Sequence, residues 1–429
     1  MYITKIHIKN VRSLKNLTWE IDETECPGWH VIIGDNGSGK STFLRAISLT
    51  FVFNEFEALR LNKNDWLNRE ADYGNIDLEL VFDKSTDTFS GKGNTPYRKK
   101  LPASLKVARH SNQKISIEAN TKQHDQINPN RHIWGDANKG WFSAAYGPFR
   151  RFTGGDKDYQ KLFYTHPKLA AHLSIFGEDV ALTESLEWLK QLKFKQLENK
   201  SQGDLLDLII SFVNSTDFLP YNASISDVSS EGVKFIDGNG YNLPVEELSD
   251  GYRSILSMTF ELIRQLVRAY DTYSVFDYED PTIITASGVV LIDEIDVHLH
   301  PTWQRRIGLW FRKHFPHIQF IVTTHSPLIC QAATIGTVYR LPKPGTNDEG
   351  AIIQGKELDR LLYGNILDAY GTEAFGENVT RSEESKQKLQ ELAQLNQKAR
   401  YQKLTPEETV KRSRLQMIMP TNPDVLGEV

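Results

Sequence analysis

Gly34-Asp35-Asn36-Gly37-Ser38-Gly39-Lys40-Ser41 follows the apolar run Val31-Ile32-Ile33 and precedes Thr42-Phe43-Leu44-Arg45-Ala46-Ile47. The stretch fits the pattern G-x-x-x-x-G-K-[ST] in the context that pattern requires, a buried strand ahead and an amphipathic helix behind. Where a strand ends in glycines and turns into a helix, free backbone N–H groups line a small concavity. The helix N-terminus adds partial positive charge, so the stretch is a phosphate cradle. Lys40 is placed to reach the β- and γ-phosphates of a nucleoside triphosphate, and the Ser41 hydroxyl to ligate Mg²⁺.

A second constellation ends the apolar run Val289-Val290-Leu291-Ile292 in Asp293-Glu294. Adjacent carboxylates at the C-terminal end of a strand buried on both faces are costly unless a cation or a substrate uses them. Asp293 can hold Mg²⁺, and Glu294 can take a proton from an attacking water. A third apolar run, Phe320-Ile321-Val322, ends in Thr323-Thr324-His325, which places an imidazole where it can meet a γ-phosphate. Leu248-Ser249-Asp250-Gly251 opens a helix, and such a start again gathers a hydroxyl and free N–H groups on an anion. His298 and His300 have the spacing of a metal pair, but no cysteine or third histidine lies close by in sequence, so they are read as a loop shaping the site.

The elements that carry these residues follow from periodicity. Residues 2–9 alternate apolar and polar with one slipped position, and 11–21 read as a turn and a returning strand. Ile76 to Asp83 alternates cleanly, which predicts a strand with one wet face in a small antiparallel layer. Strands are also expected at Leu105–Arg109 and Ile115–Ile117, and the aromatic run Trp141 to Phe152 reads as a buried strand leading into a loop. Apolar spacing of three to four from Lys161 to Val213, including Leu182, Leu186, Leu189 and Leu192, predicts an inserted helical lobe. Asp237-Gly238-Asn239-Gly240 between two short apolar runs is a hairpin signal. Val338–Leu341 closes the core, and helices are expected at 358–370, 382–404 and 406–417, the middle one thinly striped enough to be a contact surface. The expected divisions are 1–95 and 231–345 as the two lobes of a nucleotide-binding head, 96–230 as an insertion, and 346–429 as a C-terminal helical region.

The chain has 429 residues, longer than one ordinary core, and its 50 Lys and Arg against 55 Asp and Glu leave a net charge of -5. No overall basic footprint points to nucleic acid, although Tyr97-Arg98-Lys99-Lys100 and Arg150-Arg151 could form local patches. Cys26 and Cys330 are too few for a disulfide framework or a thiolate metal cluster. No stretch approaches a membrane span and the N-terminus lacks a signal-peptide plan, so the expectation is a cytoplasmic protein without membrane contact.

The order of the four motifs, with the P-loop first, then Leu248-Ser249-Asp250-Gly251, Asp293-Glu294 and His325, resembles the ABC-type ATPases of the SMC, RecF and OLD-like branch. The wording of Ala145-Tyr146-Gly147-Pro148 with Arg150, of Leu248 to Ser254 and of Asp293 to Pro301 is similar to the ATPase subunits of the bacterial antiphage systems Septu and PARIS. The resemblance implies an α/β head, a mixed or parallel sheet core with an antiparallel β layer, plus a helical insertion and C-terminal helices. It implies that Asn36, Gly37, Ser38, Gly39, Lys40, Ser41 and Thr42 wrap the phosphates of ATP, that Ser41 and Asp293 hold Mg²⁺, that Glu294 activates water and that His325 senses the γ-phosphate. Ser249 and Gly251 would contact ATP bound to a second copy in a head-to-tail dimer or larger homo-oligomer, and Asp296 would sit in the loop through which the two sites communicate. The loop that supplies a glutamine in many ABC proteins is not evident, and residues 145–150 stand in its place. A long coiled coil is missing, and no glycine-rich acidic nuclease region follows Leu341. The implied function is a slow, regulatory ATPase that senses a phage-encoded trigger and scaffolds a separate effector, a nuclease or toxin. A RecF-like DNA repair or recombination factor is the alternative, and a transporter subunit fits less well.

Overall fold

In this computed structural model the described residues are 1–59, 61–90, 100–120, 128–135, 138–150, 157–177, 183–198, 204–215, 217–270, 274–346, 348–365, 369 and 382–419. They fall into two units, Met1–Ile366 and Leu367–Val429.

The first unit begins with the expected hairpin, β1 (Tyr2–Val11) and β2 (Leu14–Glu20), whose buried residues alternate along the chain. β3 (Gly28–Ile33) is buried throughout and delivers the chain to α1 (Lys40–Phe51). β4 (Tyr73–Val81), β5 (Lys100–Arg109) and β6 (Ile115–Ala119) complete a five-stranded antiparallel sheet in the order β2-β1-β4-β5-β6. The slipped position read in residues 2–9 is a register shift between Ile3 and Lys5 against β4.

β7 (Ser143–Tyr146) is followed by α2 (Lys157–Thr165), α3 (Pro167–Ala170), α4 (Leu173–Phe176), α5 (Thr183–Leu197) and α6 (Asp204–Ser215). A three-stranded sheet, β8 (Ser224–Ser229), β9 (Gly232–Ile236) and β10 (Asn242–Pro244), contains the hairpin signalled by Asp237 to Gly240. It leads into α7 (Asp250–Ala269), which has one apolar face. Then come β11 (Gly288–Ile292), α8 (Pro301–His314), β12 (Ile318–Thr323), α9 (Pro327–Cys330), β13 (Val338–Arg340), β14 (Ala351–Ile352) and α10 (Gly355–Tyr363).

The central sheet has the order β14-β13-β3-β12-β11-β7, and every pair in it is parallel except β13 with the edge strand β14. β3, β11 and β12 show no solvent-facing side, as continuous apolar runs require of strands covered on both faces. α1 lies between the two large sheets. Phe43, Leu44, Ala46 and Ile47 share one core with Ile6 and Ile8 of β1, Ile76 and Leu78 of β4, and Val289 and Leu291 of β11. This packing fixes the helix that carries Lys40 against the strand that carries Asp293.

Part of the region read as an inserted helical lobe belongs to this core. Residues 166–176 wedge between α1 and β7: Arg45 donates to the Ile175 carbonyl (2.8 Å), Ala145 N to the Ala171 carbonyl (2.8 Å), and Gly147 N to the Ser174 hydroxyl (3.2 Å). Leu182 and Tyr370, named in the helix readings, lie outside the described residues, and α10 starts at Gly355. Of the basic patches, Tyr97, Arg98, Lys99 and Arg151 lie outside the described residues. Arg150 is buried at 4% exposure, so it offers no charge to a polyanion. Among the described residues no helix is long and apolar enough to cross a membrane.

The second unit is a helical hairpin, α11 (Glu383–Tyr401) and α12 (Pro406–Ile418), matching the two helices expected at its ends within a few residues. Its core is small, Leu392, Leu395 and Leu415 with Leu404 and Met419 against them. Thr405 and Glu408 form a reciprocal capping box at the start of α12, and Lys398 pairs with Glu408 at 2.6 Å.

Candidate functional site

The P-loop turns sharply between β3 and α1, with Gly37 at φ 81° and Gly39 at φ 97°, backbone conformations that favour glycine. At Gly39 a Cβ would also stand 2.8 Å from Leu14 Cδ2 and from Ser13 Oγ, so the β1–β2 turn closes one side of the loop. Lys40 is buried (7% exposed), and its Nζ donates to the carbonyls of Gly34 (2.8 Å) and Asp35 (3.1 Å). The Ser38 hydroxyl is buried without a partner among the described residues, while Asn36 and Gly37 are exposed and Ser41 and Thr42 half-buried. A buried ammonium resting on neutral carbonyls next to an orphaned hydroxyl fits a triphosphate, which supplies the anionic acceptors that neither group has.

Asp293 and Glu294 leave the C-terminal end of β11, and β12 beside it ends in Thr323. The Thr323 hydroxyl donates to Asp293 Oδ1 (2.6 Å) and accepts from the Glu294 N–H (2.8 Å). Thr324 donates likewise to Asp296 Oδ1. Glu294 occupies φ 47°, an uncommon left-handed position for a non-glycine residue. Burial lowers the pKa of Lys40, opposed by the charges of Glu294, Asp293, Asp35 and Asp296 in that order. The exposed His325 also has a lowered pKa, through desolvation first and then the Lys40 charge, with Asp296, Glu294 and Asp35 opposing. Asp35, Asp293, Glu294 and Asp296 thus lie within electrostatic reach of Lys40, and all but Asp293 also within reach of His325, at the C-terminal ends of the central strands.

The family model described as "AAA domain, putative AbiEii toxin, Type IV TA system" matches residues 77–331, more than half of the chain. The chain belongs to this AAA-domain family. A second model, described as an AAA ATPase domain, matches residues 1–142 of the same AAA protein. Among its relatives are the Septu protein PtuA of Bacillus mycoides (strain KBAB4), 27% identical over 342 residues, 79% of this chain and 40% of that protein. Another is the "Retron Vc95 probable ATPase" of Vibrio cholerae serotype O1 biovar El Tor, 24% identical over 71% of this chain and 67% of the relative. The chain therefore spans less than half the length of the PtuA it matches. Among solved structures, an SMC head bound to the C-terminal winged-helix domain of ScpA aligns at TM-score 0.47 and 15% identity, covering 83% of this chain and 99% of that one. RecF with ATP aligns at TM-score 0.42 and 13% identity, covering 82% of this chain and 99% of that one.

In this AAA protein, Ser249 caps α7 but its side chain makes no cap hydrogen bond, and Ser249 and Asp250 are exposed. Gly251 packs on the loop after Glu294, where a Cβ would meet the His298 carbonyl oxygen at 2.7 Å. His300 accepts from Thr302 N as the cap of α8, and among the described residues no group of three metal-binding side chains is found. Arg150, read in the sequence as a local basic patch and as part of the 145–150 segment standing in place of the glutamine loop, is buried behind the Asp293-Glu294 turn. One contributor went unread in the sequence. A cavity of about 300 Å³ beside the P-loop is lined by Ser13, Leu14, Leu17, Ser38, Pro342 and Pro344 among others, and no motif announces it.

Proposed function

We propose that the protein binds ATP with Mg²⁺ between two copies of itself arranged head to tail, hydrolyses it slowly, and serves as the sensor and scaffold ATPase of a bacterial antiphage system. The grouping of Lys40, Asp293, Glu294, Asp296 and His325 at the C-terminal ends of the central strands carries the ATPase reading. The Septu and retron names of its relatives support the defence role. In this reading the N–H groups of residues 36–42 and the Lys40 ammonium hold the phosphates, and the cavity beside Ser13 and Leu14 is of a size to take part of the nucleoside. Ser41 and Asp293 would hold Mg²⁺, which when bound neutralises charge on the phosphate oxygens. Glu294 accepts the proton of the attacking water, Asp293 stays oriented by Thr323, and His325 donates toward the γ-phosphate. The open N-terminus of α7, which the Ser249 side chain does not cap, meets the phosphate of the partner copy. The ATP-bound assembly is the signalling state, and Glu294 is the timer that ends it.

A separately encoded effector, of the nuclease or toxin class, is held by the assembly and released when a phage product appears. The test is the mass in solution of the Glu294→Gln protein with and without ATP and Mg²⁺. ATP-dependent association supports the reading, and an unchanged mass with ATP bound overturns the head-to-tail assembly.

A further inference from the structure

Within one copy, Arg150 joins the Glu294 turn, which serves that copy's own site, to α7, which serves the other site of the proposed dimer. Its guanidinium is buried, and among the described residues its acceptors are three carbonyls and a hydroxyl. Nη1 donates to the carbonyls of Gly147 (2.9 Å) and Asp293 (2.7 Å), Nη2 to the carbonyl of Glu294 (3.0 Å), and Nε to the hydroxyl of Ser254 (3.1 Å). Three of these acceptors follow the ends of β7 and β11. The fourth sits on the first turns of α7, the helix that Ser249 and Gly251 begin. Four directed bonds on a rigid planar fork leave little freedom, and a buried donor stripped of its acceptor is costly.

What the fork grips needs holding. Glu294 sits at φ 47°, its carbonyl on Arg150 and its N–H on Thr323. A second link runs in parallel, since Gly251 packs directly on the carbonyl of His298, itself at φ 65°. A shift of α7 therefore moves an acceptor of Arg150 and the loop beyond Glu294 together.

We propose that Arg150 is a positioning residue that makes the setting of Glu294 depend on the seating of α7, with Ser254 as the joint. This rests on the reading that Ser249 and Gly251 meet the nucleotide of a second copy. Seating of α7 on that nucleotide is then passed through Ser254 and Arg150 to the same copy's Glu294, so the two sites of a dimer hydrolyse in step.

The experiment compares the full chain with its Ser254→Ala and Arg150→Lys variants, using a fluorescent ATP analogue for binding and ATP turnover for kcat, KM and the Hill coefficient. Both variants are expected to bind the analogue within about threefold of the unaltered protein and to lose about tenfold to a hundredfold in kcat with KM nearly constant. The Hill coefficient is expected to fall to about 1, and the double variant to be no slower than the worse single one. Wild-type kcat and cooperativity in Ser254→Ala overturn the proposal, as does a loss of turnover matched by a loss of affinity. Ser254→Ala carries the test even where Arg150→Lys fails to fold. An unaltered protein that binds no analogue refutes the ATP-site reading instead, and the two failures are distinct.

Discussion

Replacing Thr323 with valine removes one hydroxyl and almost no volume, which isolates what that hydroxyl does at the turn carrying both acids. Thr323 is fully buried, and its Oγ1 spans Asp293 Oδ1 at 2.6 Å and the Glu294 N–H at 2.8 Å. Loss of a hydrogen bond to a charged carboxylate costs about 1.5–3 kcal/mol, and a part-buried N–H left without a partner costs about 1 kcal/mol more. The expected destabilisation is about 3 kcal/mol, a lowering of the melting temperature by several degrees in a unit of this length. Turnover should fall at least about tenfold, because the left-handed Glu294 loses one of its two backbone anchors. Thr323→Ser keeps the hydroxyl and should stay within about 1 kcal/mol of the unaltered protein. The assays are thermal melting and phosphate release on the same preparations. A Thr323→Val protein that melts and turns over like Thr323→Ser would refute the reasoning.

Lys40→Ala should weaken nucleotide binding by about a hundredfold or more, since a buried ammonium making charge-assisted contacts to phosphate is lost; calorimetric titration with ATP checks it, and unchanged affinity contradicts the site. Stability should fall in mild acid. Burial pushes the His30 and His172 imidazoles from 6.5 down to about 4 and about 3. Between those values and 6.5 the unfolded chain binds protons that the folded chain refuses, so stability rises with pH through this window and is lost on acidification, by about 2 kcal/mol per histidine at pH ~5. Urea midpoints at pH ~7.5 and pH ~5 measure the effect, and equal midpoints would contradict it.

Much of the frame was legible because it is local. Alternation marked β4 and, with one slipped position, β1; continuous apolar runs marked β3, β11 and β12, and most of the site residues follow closely on one of those runs or open a helix. The rest depends on pairing, which a single sequence does not display. β7 is four residues long and reads as any aromatic core strand until it is paired with β11. Residues 166–176 share the helical spacing of their neighbours, and only tertiary hydrogen bonds from Arg45, Ala145 and Gly147 draw them into the core. Arg150 read both as charge beside Arg151 and as part of the 145–150 segment, and its burial could not be foreseen because it requires carbonyls from two separate segments and a hydroxyl from a third that sequence spacing cannot bring together. Thr323 stood inside Thr-Thr-His with nothing to distinguish it from its neighbour.

The claim that the hydrolytic site is shared between copies is tested most directly by mixing two inactive proteins. Lys40→Ala disables the phosphate cradle, and Ser249→Arg blocks the start of α7, where Ser249 is exposed and makes no cap hydrogen bond. A head-to-tail pair of one copy of each contains one intact site, built from the cradle of the Ser249→Arg copy and the α7 of the Lys40→Ala copy. ATP turnover in an equimolar mixture should reappear, at about a quarter of the unaltered rate if copies pair at random and each site works alone, and lower if the sites are coupled. A mixture as inactive as its two components at every protein concentration would contradict the account.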